Sequence, residues 1–251
     1  MNKEPKVSCI CITHNRIGML SRAKQCFHSQ TYGNRELVIL FENDPVTEEY
    51  AESHPAYSYY ELVEESLAQG GWRKRPVREA AASTVVFYKV TPLQKMTLGM
   101  KRNLSMRAAS GEYICVWDDD DWYAENRIAN QMKFLQFTGK LACSLAYTIF
   151  FDSNTDSAYY NLHRVTGHEN TLLFRKTEDA LYDDLNTAED TPLLLHFYNQ
   201  NQLSVMEEPE LYIYYFHNTN SCSSAHFTII RDTSTLLEDA QAKNIRKLLN
   251  R

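Results

Sequence analysis

Trp117-Asp118-Asp119-Asp120-Asp121-Trp122 places four carboxylates side by side, directly after the short apolar run Tyr113 to Trp117. Adjacent anions repel one another, so such a run persists only where water disperses the charge or a cation neutralises it. The apolar run ahead of it reads as a buried strand of an open α/β sheet, and ligands bind beyond the carboxyl ends of such strands. A divalent cation there would resolve the repulsion. Mg²⁺ and Mn²⁺ take oxygen ligands, commonly one or two carboxylates, and fill their other positions with water and substrate phosphates. On an extended segment alternate side chains share a face, which assigns Asp118 and Asp120 to one site and turns Asp119 elsewhere. An acidic turn or a simple calcium loop is the competing explanation, though the glycine and distant glutamate of an EF-hand are absent.

Other nucleotide motifs are missing. The first apolar run ends in Thr13-His14-Asn15-Arg16, not GxGxxG, and GxxxxGK[ST] occurs nowhere. A dinucleotide dehydrogenase and a P-loop phosphotransferase are thereby disfavoured. With 26 Lys and Arg against 32 Asp and Glu, the chain also lacks the basic surplus of a nucleic-acid binder.

The elements that must position these residues follow an α/β rhythm. Val7 to Thr13, Leu37 to Phe41 and Tyr113 to Trp117 are runs of the kind buried on both faces of a parallel sheet. Between them, Ile17 to Gln30 reads as a helix. So does Leu98 to Ser110, with Met100, Leu104 and Ala108 on one stripe and Gly111 as its stop. The alternation predicts one Rossmann-like α/β domain with an open, mostly parallel sheet flanked by helices. The stretch from Glu48 to Thr97 interrupts it. Ala68 to Ala82, with Arg73-Lys74-Arg75, reads as a loop-like insertion whose cations are solvated surface or a grip on an anionic substrate; a strand follows at Val85 to Val90.

In the second half, Leu141 to Tyr147, Thr171 to Phe174 and Leu211 to Phe216 read as strands and Asp190 to Asn199 as a helix. Leu236, Leu237, Ala240, Ile245, Leu248 and Leu249 recur at helical spacing near the end. That helix is expected to pack on the core, with contact at a membrane surface as the alternative. Six cysteines show no zinc spacing and read as buried, reduced thiols. No signal peptide and no run of ~18 apolar residues is visible, which predicts a cytoplasmic protein with no transmembrane segment.

The order of these motifs resembles the family 2 glycosyltransferases of GT-A fold. The resemblance runs from THNR, through Phe41-Glu42-Asn43-Asp44 and Leu98-Gly99-Met100-Lys101-Arg102-Asn103, to Gly111-Glu112-Tyr113 and the Asp run. It is strong over residues 5 to 135 and scattered from 165 to 225, at Ala188-Glu189-Asp190 and Phe216-His217-Asn218-Thr219-Asn220-Ser221. It implies a GT-A domain over 1–230, with a nucleotide-binding half at about 5–125 and a smaller acceptor-side half at about 126–230. An amphipathic helix at 231–251 follows. By resemblance, Thr13, Asn15, Arg16, Glu42, Arg102, Asp118 and Asp119 serve the nucleotide, with Glu42 in place of a more usual aspartate. Asp118 and Asp120 match the DxD carboxylates, Asp120 being the better candidate ligand for Mn²⁺ or Mg²⁺, with His217 as a third.

The resemblance also implies the reaction: inverting transfer of a sugar from a nucleotide donor, with UDP-sugar expected, to an acceptor hydroxyl. Asp190 is then the base, Glu189 its alternate, and helix capping the plain explanation for both. A glycan, a lipid-linked sugar or a protein could be the acceptor, with Tyr159, Tyr160, His163 and His168 as candidate groove residues. Cytoplasmic glycan synthesis, peripheral at the inner membrane face, would suit such an enzyme. A nucleotidyltransferase and a non-catalytic sugar-nucleotide or carbohydrate-binding protein are the rival readings.

Overall fold

A computed structural model describes residues 4–66, 71–162, 165–217, 219–220 and 224–249. His163, Asn218, Ser221 and part of the 68–82 stretch lie outside them. The chain forms β1 (Val7–Ile12), α1 (Ile17–His28), β2 (Arg35–Glu42), α2 (Pro45–Glu52), β3 (Ser58–Ser66), β4 (Gly71–Arg78), β5 (Val85–Thr91) and α3 (Leu98–Ala108). It continues through β6 (Tyr113–Val116), β7 (Trp122–Tyr123), α4 (Arg127–Thr138), β8 (Ala142–Leu145), β9 (Tyr147–Asp152), β10 (Ser157–Leu162) and β11 (Leu173–Arg175). The last elements are α5 (Thr191–Asn199), β12 (Leu203–Met206), β13 (Tyr212–Phe216), α6 (Ser224–Asp232), β14 (Thr235–Leu236) and α7 (Asp239–Leu248).

Nine strands make one mostly parallel sheet in the order β12-β8-β11-β6-β1-β2-β5-β3-β4. Its centre is apolar on both faces, as the sequence predicts. Cys9 and Cys11 of β1 face a layer holding Leu20 and Phe27 of α1 and Ile128 and Met132 of α4. Ile10 faces the opposite layer, with Leu104 of α3 and Leu193 and Phe197 of α5. A fully buried side chain of the size of Phe27 or Phe197 contributes about 1.5–3 kcal/mol. The cysteines among the described residues are buried free thiols.

Three expectations are corrected. The basic stretch expected to be a loop is β4, the edge strand of a hairpin with β3. Both faces of it are largely exposed, so no alternation marked it. Its cations are partnered locally: Arg75 with Glu61, Arg73 with Glu65, and Lys74 over the Tyr60 ring at 3.8 Å while donating to Tyr88 Oη. Cations and Pro76 on such an edge discourage pairing with other strands. The second correction concerns α3, whose Met100 is exposed while Gly99, Arg102 and Ser105 are buried. Polar packing on this helix overrides the apolar stripe. The third concerns the terminal helix, which begins at Asp239 and is preceded by α6 and β14.

A second sheet, β14-β10-β9-β13-β7, was not visible in the sequence. Apart from the β9–β10 hairpin, its strands pair with partners far away along the chain. α7 buries Ala242, Ile245 and Leu249 against its Phe151 and Ile213, so the helix's apolar face is used internally. No helix among the described residues is long and apolar enough to cross a membrane.

Two polar constructions hold the large sheet and its helices in place. At the amino end of β2, Glu36 accepts from Ser8 Oγ (2.6 Å), Ser110 N (2.7 Å) and Ser110 Oγ (2.8 Å) and pairs with Lys6 (2.7 Å). Burial alone would raise this carboxyl, but Lys6, Ser8 and Ser110 outweigh it and hold it below its usual range. Gly111 sits here for close approach and does not terminate α3: a Cβ would lie 2.6 Å from Ser8 Oγ. The other construction ties the irregular segment 176–190 to α3. Asn103 grips Tyr182 with both halves of its amide, donating to the carbonyl (2.8 Å) and accepting from N–H (2.9 Å). Gly99 N–H donates to Leu185 O (3.0 Å), and a Cβ on Gly99 would fall 1.7 Å from Asp183 O.

Two outcomes are expected. Glu36→Ala should cost roughly 3–5 kcal/mol in urea unfolding at neutral pH, because it strands buried donors. A depressed carboxylate stabilises fully only above its unfolded pKa of about 4.3, so the deficit should shrink as pH falls below that value. Loss of under 1 kcal/mol would show the network to be incidental. Gly99→Ala should lower the melting temperature through about 1–3 kcal/mol of overpacking, read by calorimetry; an unchanged melt would contradict the close approach.

Candidate active site

The carboxyl ends of β1, β2 and β6 meet at one edge of the large sheet. After β1 the chain turns through Asn15, whose φ of 53° is left-handed. Asp44 makes that turn possible by accepting from Asn15 N–H at 2.6 Å while capping α2 through Thr47 N–H. Burial would raise Asp44, but Thr47 and Asn15 hold it below its usual range. The Asn15 side chain is exposed and caps nothing; Arg16 occupies the N-cap position of α1. Glu42, at the end of β2, is buried and paired with Lys101 of α3 at 2.7 Å.

Asp118 to Asp121 form a bend between β6 and β7, so strict alternation does not apply. Asp118 pairs with Arg102 Nη2 at 3.0 Å. Asp119 is not turned away: it accepts from Thr13 Oγ1 (2.7 Å) and shares Arg16 Nη1 with Asp120, at 3.3 and 2.8 Å. Asp120 Oδ2 also accepts from His217 Nε2 (3.1 Å) and Asn220 Nδ2 (3.4 Å). Asp121 is fully buried, accepting from Tyr212 Oη and from Tyr215 N–H at 2.9 Å.

These neighbours do not neutralise the run completely. Burial and the adjacent Asp120 push Asp119 up to about 7 and Asp121 well above its ordinary value. Asp120 moves the other way: burial is outweighed by His217 and Arg16. His217 Nδ1 accepts from Thr219 N–H at 3.1 Å, which leaves the proton on Nε2, facing Asp120. In this arrangement His217 orients a carboxylate and offers no lone pair to a metal.

Across the site, Arg102 is buried and bridges two segments. Its Nη2 meets Asp118 and its Nε meets Glu189 at 2.9 Å, while Nη1 is buried without a partner among the described residues. The guanidinium stands 5.5 Å from the Tyr182 ring, whose buried hydroxyl is likewise unpartnered. Ala188, with φ of 57°, turns the chain so that Glu189 meets Arg102 and Asp190 stands at the start of α5. Asp190 makes no side-chain cap bond there. Burial raises it to about 7, with Glu189, Glu169 and Asp118 adding to the effect and Arg102 opposing it.

The arrangement thus joins three things: the acidic bend, a cationic pair in Arg16 and Arg102, and a carboxyl with a near-neutral pKa. Among the described residues no three His, Cys, Asp or Glu side chains form a metal cage. Asp118 and Asp120 share the bend, and Mg²⁺ or Mn²⁺ needs only one or two carboxylates when phosphate and water complete the shell. His168 lies elsewhere, buried against Thr148 at 2.9 Å, and Tyr159 and Tyr160 belong to β10 of the second sheet. Sequence reasoning missed Asp44, Lys101, Asp121 and Tyr182. Asp44 carried a readable signal, an N-cap residue followed by Pro45. Tyr182 carried none, because only its packing on Arg102 distinguishes it.

The family model for glycosyl transferase family 2 matches residues 75–198. A structure of S. aureus TarS 1-349 in complex with UDP-GlcNAc is similar at 17% identity and a TM-score of 0.61, over 98% of this chain and 72% of that one. Another of TarS 1-349 gives 16% and 0.57, over 84% and 60%. The mannosyltransferase PcManGT from Pyrobaculum calidifontis, in complex with GDP-Man and Mn²⁺, gives 14% and 0.58, over 92% and 61%. The chain therefore spans less than two thirds of two of these three structures, and at such identities the likeness is one of fold. A comparison with curated proteins finds no match. Sheet order, acidic bend and family match agree: residues 75–198 carry the glycosyl transferase family 2 match, on a fold of the GT-A type.

Proposed function

We propose that the chain moves a sugar from a nucleoside-diphosphate donor to an acceptor hydroxyl by a single, inverting displacement. The observation that carries this is the Arg102 bridge. It ties the acidic bend and the Glu189-Asp190 turn to one guanidinium, through Nη2 and Nε respectively. This common anchor supports a reading in which donor and acceptor chemistry are neighbours.

Thr13 and Asn15 would flank the nucleoside, with Glu42 and its partner Lys101 at the base end. Arg16 and Arg102 would meet the diphosphate, Arg guanidinium being suited to paired phosphate oxygens. Asp120 and Asp118 would hold Mn²⁺ or Mg²⁺, and His217 would keep Asp120 oriented. When bound, that dication supplies counter-charge for the departing diphosphate. Asp190 takes the acceptor proton; the acceptor oxygen bonds to the anomeric carbon as the bond to the diphosphate breaks on the opposite face. Glu189 is committed to Arg102, which leaves Asp190 as the free carboxyl.

UDP-sugar is the donor we favour, since one fold neighbour was solved with UDP-GlcNAc; the GDP-Man complex of another keeps the base open to test. Buried, unpaired thiols suit a reducing, cytoplasmic setting. The acceptor can be a glycan, a lipid-linked sugar or a protein hydroxyl.

A screen of nucleotide sugars with Mn²⁺, reading donor hydrolysis and thermal shift, tests the assignment directly. With an active donor, kcat/KM should rise with pH through about 7, because only ionised Asp190 accepts the proton. Asp190→Asn should cut transfer by about 10²–10⁴-fold while nucleotide binding survives; unchanged transfer would return the role to another group. Chelation by EDTA, or Asp120→Ala, should abolish turnover, and Mn²⁺ should restore it only to the chelated wild type. Full activity in EDTA would rule out the metal.

A further inference from the structure

Arg16 occupies an unusual position for a residue that should meet a phosphate. Its guanidinium already lies against Asp120 at 2.8 Å and Asp119 at 3.3 Å, reaching across from the end of the first strand to the acidic bend. Those carboxylates are nearly enclosed, with side-chain exposures of 12% and 4%, whereas Arg16 keeps 25%. A guanidinium cannot shed its charge at any working pH, so it is a permanent counter-ion for the bend. Thr13, His217 and Asn220 contribute hydrogen bonds to the same two carboxylates but no second fixed charge. Arg22 approaches only the Asp120 carbonyl while lying over the Tyr215 ring at 4.4 Å.

We propose that Arg16 is an exchangeable counter-ion: it neutralises Asp119 and Asp120 in the donor-free enzyme and yields Asp120 to the dication when a diphosphate offers its guanidinium a new partner. This rests on the sugar-nucleotide reading above and assigns Arg16 a role in loading order. Two cations cannot share Asp120 at close range without strong repulsion. A dication arriving alone must therefore displace Arg16 from Asp120, leaving it only the longer contact to Asp119 beside the new charge. A diphosphate removes that penalty, since phosphate oxygens accept paired N–H bonds from Arg as well as carboxylates do. Metal and nucleotide consequently bind with positive coupling, and linkage requires the coupling to act equally in both directions.

The test is a Mn²⁺ titration of the full chain followed by electron paramagnetic resonance. Wild type, Arg16→Gln and Arg16→Lys are compared with and without UDP, correcting for Mn²⁺ chelated by free UDP. Thermal melts and circular dichroism verify that each variant is folded. In wild type, UDP should tighten Mn²⁺ binding by about tenfold or more, a typical coupling. Arg16→Gln should bind Mn²⁺ alone about tenfold more tightly than wild type, gain much less from UDP, and hold UDP more weakly. Arg16→Lys, which keeps the charge, should restore the weak binding of Mn²⁺ alone. Unchanged or weaker Mn²⁺ binding by Arg16→Gln in the absence of UDP would overturn the exchange, while wild-type binding with UDP left the metal reading intact. If neither protein bound Mn²⁺ in any condition, the metal reading itself would fall and the exchange with it.

Discussion

The organisation of this protein depends on keeping four consecutive carboxylates in a largely buried bend. An ionised carboxylate removed from water is costly unless it gains partners, so each must be answered by a donor or a cation. The answers come from separate parts of the chain. Arg102 of α3 meets Asp118, the turn after β1 meets Asp119, the segment after β13 meets Asp120, and β13 itself meets Asp121. The bend therefore works as a junction. Asp121 fastens it to the second sheet, while Asp118 and Asp119 fasten it to the large one.

The junction is incompletely neutralised, and that incompleteness has a chemical direction. Two of the four carboxyls are pushed toward the protonated state, while Asp120 is held ionised by Arg16 and His217. On the proposed function, such a site, short of positive charge and with one carboxylate kept anionic, receives a cation delivered with its ligand. Left-handed residues at Asn15, Asn43 and Ala188 occur at the turns that build this region. For residues other than glycine such conformations carry strain, and the surrounding bonds to Asp44 and Arg102 hold them.

Legibility in the sequence followed burial. β1, β2 and β6 were readable because burial on both faces leaves an unbroken apolar run, and α1 and α3 were readable between them. The hairpin of β3 and β4 was not, since an exposed edge strand of arginine, lysine and proline has no apolar period. The second sheet was hidden for a different reason: two-residue strands such as β7 exist only through long-range pairing with β13. The acidic run announced a site without announcing its geometry. Strand logic split Asp118 and Asp120 from Asp119, whereas the bend gives Asp119 and Asp120 a common partner in Arg16. Glu189 and Asp190 could be placed at a helix start, but only coordinates separate their environments.

That separation decides which carboxyl is free to act. Glu189 is 3% exposed and held by Arg102 Nε in a buried ion pair. Asp190, one residue on, makes no cap bond at the start of α5 and is raised to about 7. Segment 176–190 sets this difference through its grip on α3. Gly99 allows the segment to approach, Asn103 fixes Tyr182 by two main-chain bonds, and Arg102 takes the first carboxylate of the turn. The string Gly99-Met100-Lys101-Arg102-Asn103 is therefore better understood as a docking face for the turn bearing Asp190 than as an ordinary amphipathic helix. Its apolar stripe is interrupted because polar contacts, not apolar burial, set the register between the Asp190 turn and the acidic bend.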